Sequence, residues 1–528
     1  MYDLSLSEAR VPAQEDMQVD RVAIGELLRT IATERPQAEA LVEVTQAGEI
    51  GRRWTYAGLL EDSQRLALAL VSRFEPGDHV VVWAPNSPEW VLMEYACALA
   101  GLVLVTANPA FQVKELRYVL EHSGAVALFL VDEFRGNPMA QIGKEATEGL
   151  TAIREVTDLN DNEALFRHES ANPSLPAVTP EDAAQIQYTS GTTGFPKGAV
   201  LSHLGLVNNA RFYASRCGVD AESTWINIMP MFHTSGCGMV TLGCLQAGCR
   251  MVLVSLFDPG VINGLIESER ATIILGVPTM VIALQDAFEA KPGDVSTLKV
   301  VSCGGAMVAP ELVRRVQQNF VCGFSTLYGQ TEHCPVITQH HLDDTIDDIC
   351  NTAGQPIPAT EVSIRRVDDN AVASIDEVGE ICARGPCAMI GYHANEAATA
   401  ETIDSDGWLH TGDVAIVDED GYFSIVDRIK ELIKYNGFQV PPAELEGLIA
   451  THPKVLDVAV IGIPDEAAGE LPKAFVQLAP DVDLTLEELQ EFVGEHLVSY
   501  KQIRLMEVID LIPKSASGKI LRRELRDR

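Results

Sequence analysis

From residue 55 to residue 306 the chain alternates short apolar runs with longer amphipathic segments, and this pattern restricts its fold more than any other feature. DHVVVWAPN (78–86), AVALFLVD (125–132), TIILGVP (272–278) and LKVVSCGGA (298–306) each have the length of a buried strand ending in a turn. Between them, TYAGLLEDSQRLALALVSRF (55–74) and the segment around VKELRYVLEHS (113–123) carry helical spacing of apolar residues. Strands separated by helices pair in parallel, so the pattern predicts sheets covered by helices on both faces, with ligand sites at the carboxyl ends of strands.

From about residue 351 the texture changes. TEVSIRRVD (360–368), EVGEICARGP (377–386) and VAIVDEDGYFSIVDR (414–428) predict antiparallel hairpins. After Lys430 come two further strand-like runs, DVAVIGIPD and KAFVQLAP, and a helical segment from Thr485 to His496. The expected architecture is α/β: a large N-terminal domain, residues 1–427, of parallel and mixed sheets covered by helices, with a β-rich subdomain at about 351–427. A small α+β domain, residues 428–528, follows a polar junction at Asp427 to Lys430.

Charge narrows the function. The 528 residues include 75 Asp and Glu against 39 Lys and Arg, a formal net charge of −36. Duplex nucleic acid and anionic membranes are held mainly by neutralising phosphates, so no nucleic-acid partner is expected, and an anionic ligand would need a locally cationic pocket. Eleven cysteines without a C-x-x-C pair suggest neither a zinc knuckle nor a disulfide frame. The N-terminal stretch lacks the basic and apolar regions of a secretory leader. The most apolar early stretch, Tyr95 to Ala107, is shorter than the ~20 residues that span a bilayer. No transmembrane segment and a cytoplasmic location are the expectations.

The most specific local signal follows the strand-like AAQIQ (183–187). In Tyr188-Thr-Ser-Gly-Thr-Thr-Gly-Phe-Pro-Lys-Gly198, glycines let the backbone bend around an anion, the hydroxyls of Thr189, Ser190 and Thr192 can donate to phosphate oxygens, and Lys197 supplies a point charge. The bland alternative is a surface turn rich in Gly, Ser and Thr. No Ser or Thr follows Lys197 and the glycine spacing differs from a Walker A loop, so a P-loop kinase or ATPase is disfavoured.

This loop resembles the signature loop of adenylate-forming enzymes, the superfamily of acyl-CoA synthetases, 4-coumarate-CoA ligases and luciferases. The resemblance continues in chain order from about Gly51 to Arg523. It takes in NPAFQVKELRYVLEHS (108–123), MPMFHTSG (229–236), YGQTE (328–332), GEICARGPCAMIGY (379–392), WLHTGD (408–413), DRIKELIKYNGFQVPPAELE (427–446) and PKSASGKILRREL (513–525). The wording around STLYGQTEHCPVITQ is most similar to fatty acyl-CoA synthetases of the medium-chain type.

The resemblance implies an ATP-dependent ligase that makes an acyl-adenylate with release of pyrophosphate and then transfers the acyl group to CoA with release of AMP. Such chemistry needs charge stabilisation and alignment more than covalent help. It implies ATP contacts from Thr189, Ser190, Gly191, Thr192, Thr193, Gly194 and Lys197, from Gly304, Gly305 and Ala306, and from Tyr328, Gly329, Gln330 and Thr331. Glu332 would ligate Mg2+, Asp413 would accept the ribose hydroxyls, Arg428 would assist on ribose or phosphate, and Lys519 would bridge the attacking carboxylate and the α-phosphate. The acyl pocket would take in His233, Ser235, Gly236, Cys303, Gly304 and Leu327, with His233 positioning rather than abstracting a proton. The small domain would be mobile about a hinge at Lys430, bringing Gly437 to the CoA tunnel. Without the motif context each residue has an ordinary reading: His233 a core histidine, Thr331-Glu332 a helix start, Asp413 a turn aspartate, Lys519 one more basic residue.

Small residues at Ser235, Gly236, Gly304, Gly305 and Ala306 suggest room for a long or flexible chain, and no acidic residue in MPMFHTSG offers to pair with an amino group. The expected substrate is a medium- or long-chain fatty or related aliphatic acid, with an aryl acid of the 4-coumarate kind as the alternative. Free CoA is the expected acceptor and a carrier protein the alternative, because no carrier domain is fused before Arg528. An inactive small-molecule binder would not be expected to keep the whole set. The protein would act as a monomer or homodimer. The last thirty residues, Ser499 to Arg528, hold eight Lys or Arg against four Asp or Glu, an inversion of the bulk charge around Lys519.

Overall fold

The structure, a computed structural model, describes residues 1–169, 173–189, 196–306, 308–429, 431–436, 438–465, 468–480, 482–514 and 520–526. Among them the strands form four sheets. His79–Trp83 lies inside a seven-stranded sheet, between the parallel strands Val103–Thr106 and Ala127–Leu130. Val80, Val81, Val82 and Trp83 are all fully buried, as a strand covered on both faces requires. Val103–Thr106 pairs with Ala183–Thr189, whose antiparallel neighbour Lys197–Ser202 carries Gly391–Tyr392 at the edge.

A nine-stranded sheet runs in parallel through Ile273–Gly276, Val300–Gly304 and Gly323–Gly329, then reverses at Val336–Gln339. The two sheets share one apolar core. Helix Pro88–Ala100 is buried along its whole length. Ser87 caps it by accepting from Trp90 N–H, and Gly101 ends it in the left-handed region at φ 66°. The chain then re-enters the sheet as Val103–Thr106, so the apolar stretch Tyr95 to Ala107 is a helix, a glycine turn and a strand. No helix among the described residues is long and apolar enough to cross a membrane.

The hairpins expected after residue 351 form an antiparallel sheet of Glu361–Arg365, Gly379–Arg384, Leu409–Val417 and Phe423–Arg428. Its core gathers Ile364, Ile381, Val417 and Phe423. Its fifth strand, Arg10–Val11, which pairs with Glu361–Arg365, has no counterpart in the apolar pattern of the sequence. A separate C-terminal domain follows. Ile433–Tyr435, Phe438–Val440, Val455–Asp465, Gly469–Leu478 and Leu505–Val508 form its sheet, and Leu445, Ile449, Val460 and Leu489 sit in its core. Asp427 stands at the junction, accepting from its neighbour Arg428 N–H and from Ala443 N–H in the first turn of helix Pro442–Ile449. Burial raises its carboxyl above the usual range.

One buried charge ties a covering helix to one edge of the nine-stranded sheet. Arg216, the last residue of helix His203–Arg216, donates to the carbonyls of Gln339 and Gln355 at 2.8 Å and to that of Pro356, while its guanidinium lies 4.9 Å from the Tyr2 ring centre. Arg216→Met should strand those carbonyls and lower unfolding stability by about 3 kcal/mol. A denaturant midpoint that falls with an unchanged m-value would record it.

Candidate active site

Thr189 ends one strand and Lys197 begins the next, facing each other in register. Ser190, Gly191, Thr192, Thr193 and Gly194, between them, lie outside the described residues, as do Lys430, Gly437 and Lys519. Both stems of this segment are gripped from one helix, Val113–Ser123. Tyr118 OH donates to Pro196 O at 2.8 Å, and His122 Nδ1 shares a 2.9 Å hydrogen bond with Tyr188 OH. Positions i and i+4 share a helix face, so one face of the helix reaches both ends of the loop. The early motif 108–123, which had no role from sequence, is thereby explained.

Across from Lys197 sits Glu332, 8% exposed, in the short 3-10 turn Thr331–His333. Its Oε1 accepts from Tyr392 OH at 2.7 Å and from Thr189 Oγ1 at 3.4 Å. Lys197 Nζ lies over the Tyr392 ring, 4.7 Å from its centre. Burial and then the Glu332 charge push the Tyr392 hydroxyl well above its ordinary pKa, so it stays a donor. A carboxylate offers about four lone-pair sites, so two hydrogen bonds leave capacity for a hard cation. Tyr392 closes a quoted motif, yet nothing in its type or spacing marked it as a partner of Glu332.

The turn is clamped from behind. Asn209 Nδ2 donates to the carbonyls of His333 and Val336, and its Oδ1 accepts from Val336 N–H. His333 Nδ1 donates to Val336 O at 2.8 Å, and burial pulls this imidazole down to about 4, so it is neutral. Gln330 N–H donates to Pro335 O. A Cβ on Gly329 would lie 1.9 Å from that same oxygen, so only glycine fits there.

Upstream on the same stretch, Tyr328 OH donates to Asp413 Oδ2 at 2.7 Å. The other oxygen, Oδ1, pairs with Arg428 Nε at 3.1 Å across the register pair Asp413↔Arg428. Asp413 is thus held from two sides, with acceptor capacity remaining on each oxygen.

Among the residues expected to form the acyl pocket, Leu327 faces Gly304 in register. A Cβ on Gly304 would come within 2.7 Å of Leu327 Cγ, and one on Gly236 within 2.3 Å of Pro230 O. The smallness of these two glycines is therefore used by the protein's own packing, a correction to the reading that they open space for substrate. Gly305 and Ala306 are exposed beyond the strand end, with Gly305 at φ 83°, and Cys303 is fully buried. His233 stands at the start of the buried π-helical turn Ser235–Leu242. Its Nδ1 accepts from Ser235 N–H at 3.1 Å and lies 3.0 Å from Ser235 Oγ, which places the ring proton of the neutral form on Nε2.

Among the described residues, the one trio with metal-ligand spacing is Glu380, Cys382 and His410. Glu380 already bonds both His410 Nδ1 and Gly412 N–H, so the trio is internally satisfied.

Tyr392→Phe removes a donor to a buried carboxylate, so it should raise KM for Mg·ATP by roughly tenfold, about 1.4 kcal/mol, with folding intact. Initial rates of pyrophosphate release at varied Mg·ATP measure it.

Known proteins match this chain along most of its length. Residues 28–393 match the family model described as AMP-binding enzyme, and residues 444–519 that described as AMP-binding enzyme C-terminal domain. A putative acyl-CoA synthetase, YngI, of Bacillus subtilis is 33% identical, covering 96% of both chains. The mitochondrial medium-chain acyl-CoA ligase ACSF2 of Homo sapiens is 32% identical over 96% of this chain and 87% of its own. The o-succinylbenzoate CoA synthetase of Bacillus subtilis, solved with its acyl-adenylate intermediate, superposes with a TM-score of 0.84 at 27% identity, covering 95% of this chain and 98% of that one. By family match, identity and fold together, the chain belongs to the AMP-binding enzyme family, whose members here include AMP-forming CoA ligases.

Proposed function

We infer that this AMP-forming CoA ligase activates an aliphatic carboxylic acid of medium or long chain and passes it to free CoA. One observation carries the reading. The single stretch Leu327 to Glu332 reaches the acyl-side strand end at Gly304, the Asp413–Arg428 pair and the Thr189–Lys197 stems. A carboxylic acid and a nucleotide would meet along that stretch.

In the first half-reaction a carboxylate oxygen attacks the α-phosphorus, the bond from that phosphorus to the bridging oxygen of pyrophosphate breaks, and pyrophosphate leaves. Two anions must approach, so cations and donors aligned on the phosphates carry most of the catalysis. Lys197, the segment Thr189 to Gly194 and Thr331 take the phosphates in this reading. Gly304, Gly305 and Ala306 line the nucleotide, and Asp413 accepts the ribose hydroxyls while Arg428 orients it. Glu332 has the hard oxygen donor and the remaining capacity to hold Mg2+, which when bound would neutralise phosphate charge. Lys519 bridges the attacking carboxylate and the α-phosphate. In the second half-reaction the CoA sulfur attacks the acyl carbonyl, the bond to the AMP oxygen breaks, and the thiol proton is lost. His233 positions the acyl group and Gly437 lines the thiol path after the small domain turns about Lys430. The cysteines, free among the described residues, fit a reducing compartment such as the cytoplasm.

The acid assignment draws on the apolar Leu327 and on the medium-chain acid in the human relative's name. In a panel of aliphatic and hydroxycinnamic acids assayed with CoA for AMP formation, aliphatic acids should show kcat/KM at least about tenfold higher, the scale of a binding difference of 1–3 kcal/mol. A preference for the aryl acids would give the 4-coumarate alternative, and acyl-adenylate persisting in excess CoA would give the carrier-protein one. Lys519→Ala should cut pyrophosphate release by at least about a hundredfold. Thioester formation from supplied acyl-adenylate should survive, and equal loss of both steps would remove the alternation of domains from the mechanism.

A further inference from the structure

Asp413 does not sit on a regular strand. Gly379–Arg384 and Leu409–Val417 pair at Cys382↔His410 and again at Glu380↔Val414, so the one residue Ile381 faces three, Thr411, Gly412 and Asp413. Bulges of this kind bend a strand and re-aim a side chain, and they cluster beside active sites. Glu380 closes the bulge from below. Its Oε1 accepts from Gly412 N–H at 2.8 Å and its Oε2 lies 2.8 Å from His410 Nδ1. His410 Nε2 lies 3.5 Å from Asp404 Oδ2 on the other side. Thr411 Oγ1 donates to Ile381 O at 2.7 Å and accepts from Asp413 N–H at 3.1 Å. Gly412, in the left-handed region at φ 73°, also accepts from Ile429 N–H, so both its backbone groups are engaged.

We propose that Glu380 and His410 are positioning residues for nucleotide binding: the imidazolium, held between Glu380 and Asp404, fixes the Glu380 carboxylate under Gly412 and so sets the direction in which Asp413 meets the ribose. The proposal rests on Asp413 being the ribose acceptor, as argued above. A neutral imidazole has one N–H and can serve only one of two carboxylates, whereas the imidazolium serves both. The hydrogen bond to Glu380, outweighing the cost of burial, raises the His410 pKa above its ordinary value. The other groups facing this cluster are Cys382, whose thiol burial keeps protonated, and Arg365, on the neighbouring strand. The charged form is present below the raised pKa and is lost as pH rises through it, so nucleotide affinity should weaken on the alkaline side.

The test is KM for ATP against kcat in pyrophosphate release, from about pH 6 to pH 9, for wild type and four variants. His410→Gln and Glu380→Gln should raise KM about five- to tenfold with kcat within about twofold, and should flatten the alkaline rise seen in wild type. His410→Arg, a cation at every pH, should keep KM low and remove the rise. Asp413→Asn should raise KM strongly at all pH values. If it does not, the ribose reading itself fails. If it does while His410→Gln and Glu380→Gln leave KM and its pH profile as in wild type, the positioning role alone is overturned. A role confined to stability would lower the melting temperature of both glutamine variants without moving KM. Zinc binding to wild type that Cys382→Ser abolishes would overturn the hydrogen-bonded reading in favour of a cation site.

Discussion

The site depends on one contact that leaves no choice of residue: the Pro335 carbonyl lies where a side chain on Gly329 would begin. That close approach lets the backbone double back so that Gln330 N–H reaches the same oxygen and Glu332 falls opposite Thr189. Buried polar groups left unpaired are costly, and here they are satisfied by Asn209 and His333, which turn a tight corner into a rigid one. Leu327, Tyr328 and Glu332 each point to a different neighbour because the strand pleat and then the 3-10 turn separate their directions. The stretch works as a ruler between chemically distinct regions.

Charge is handled locally. The last thirty residues invert the bulk charge, but the described cations there are mostly engaged within the C-terminal domain. Lys501 pairs with Glu444, Lys514 with Asp457, Arg522 with Glu446 and Glu431, and Arg526 with Glu431. Glu446 is pushed up to about 7, burial outweighing the nearby Arg522. Tail charge therefore does structural work beside any role Lys519 has with ligands.

Much of the fold was readable because its strands are short, β-branched and bounded by turns, and because helix 113–123 ends where its apolar spacing ends, at Gly124. The break after residue 351 was legible from alternating residues, whereas Arg10–Val11 was not, since two residues carry no periodicity. At the site, residue types with distinctive chemistry in distinctive order, such as Thr331-Glu332 and Asp413, were visible. Their partners were not. Asn209, Tyr392 and Glu380 act through contacts more than a dozen residues away along the chain, and nothing in their local spacing announces it. The two glycines taken as open space show the same gap from the other side: a small residue in a sequence does not say whether substrate or the protein's own backbone fills the room it leaves.

The bracing of Leu327 to Glu332 bears on how such a protein could change its diet. A substitution at Leu327 alters a residue next to the one that contacts Asp413 and five before the one that faces Thr189, on a segment with little slack. Variation there would disturb nucleotide handling together with acid choice. The π-helical turn that follows His233 is tied in as well: Gly236 O accepts from Asn227 and Thr241, and Cys237 bonds Gln185 and Gln187 on the strand that ends at Thr189. Changes on either side would therefore be expected to reach the Thr189 stem, and new acids to come with compensating substitutions along that strand.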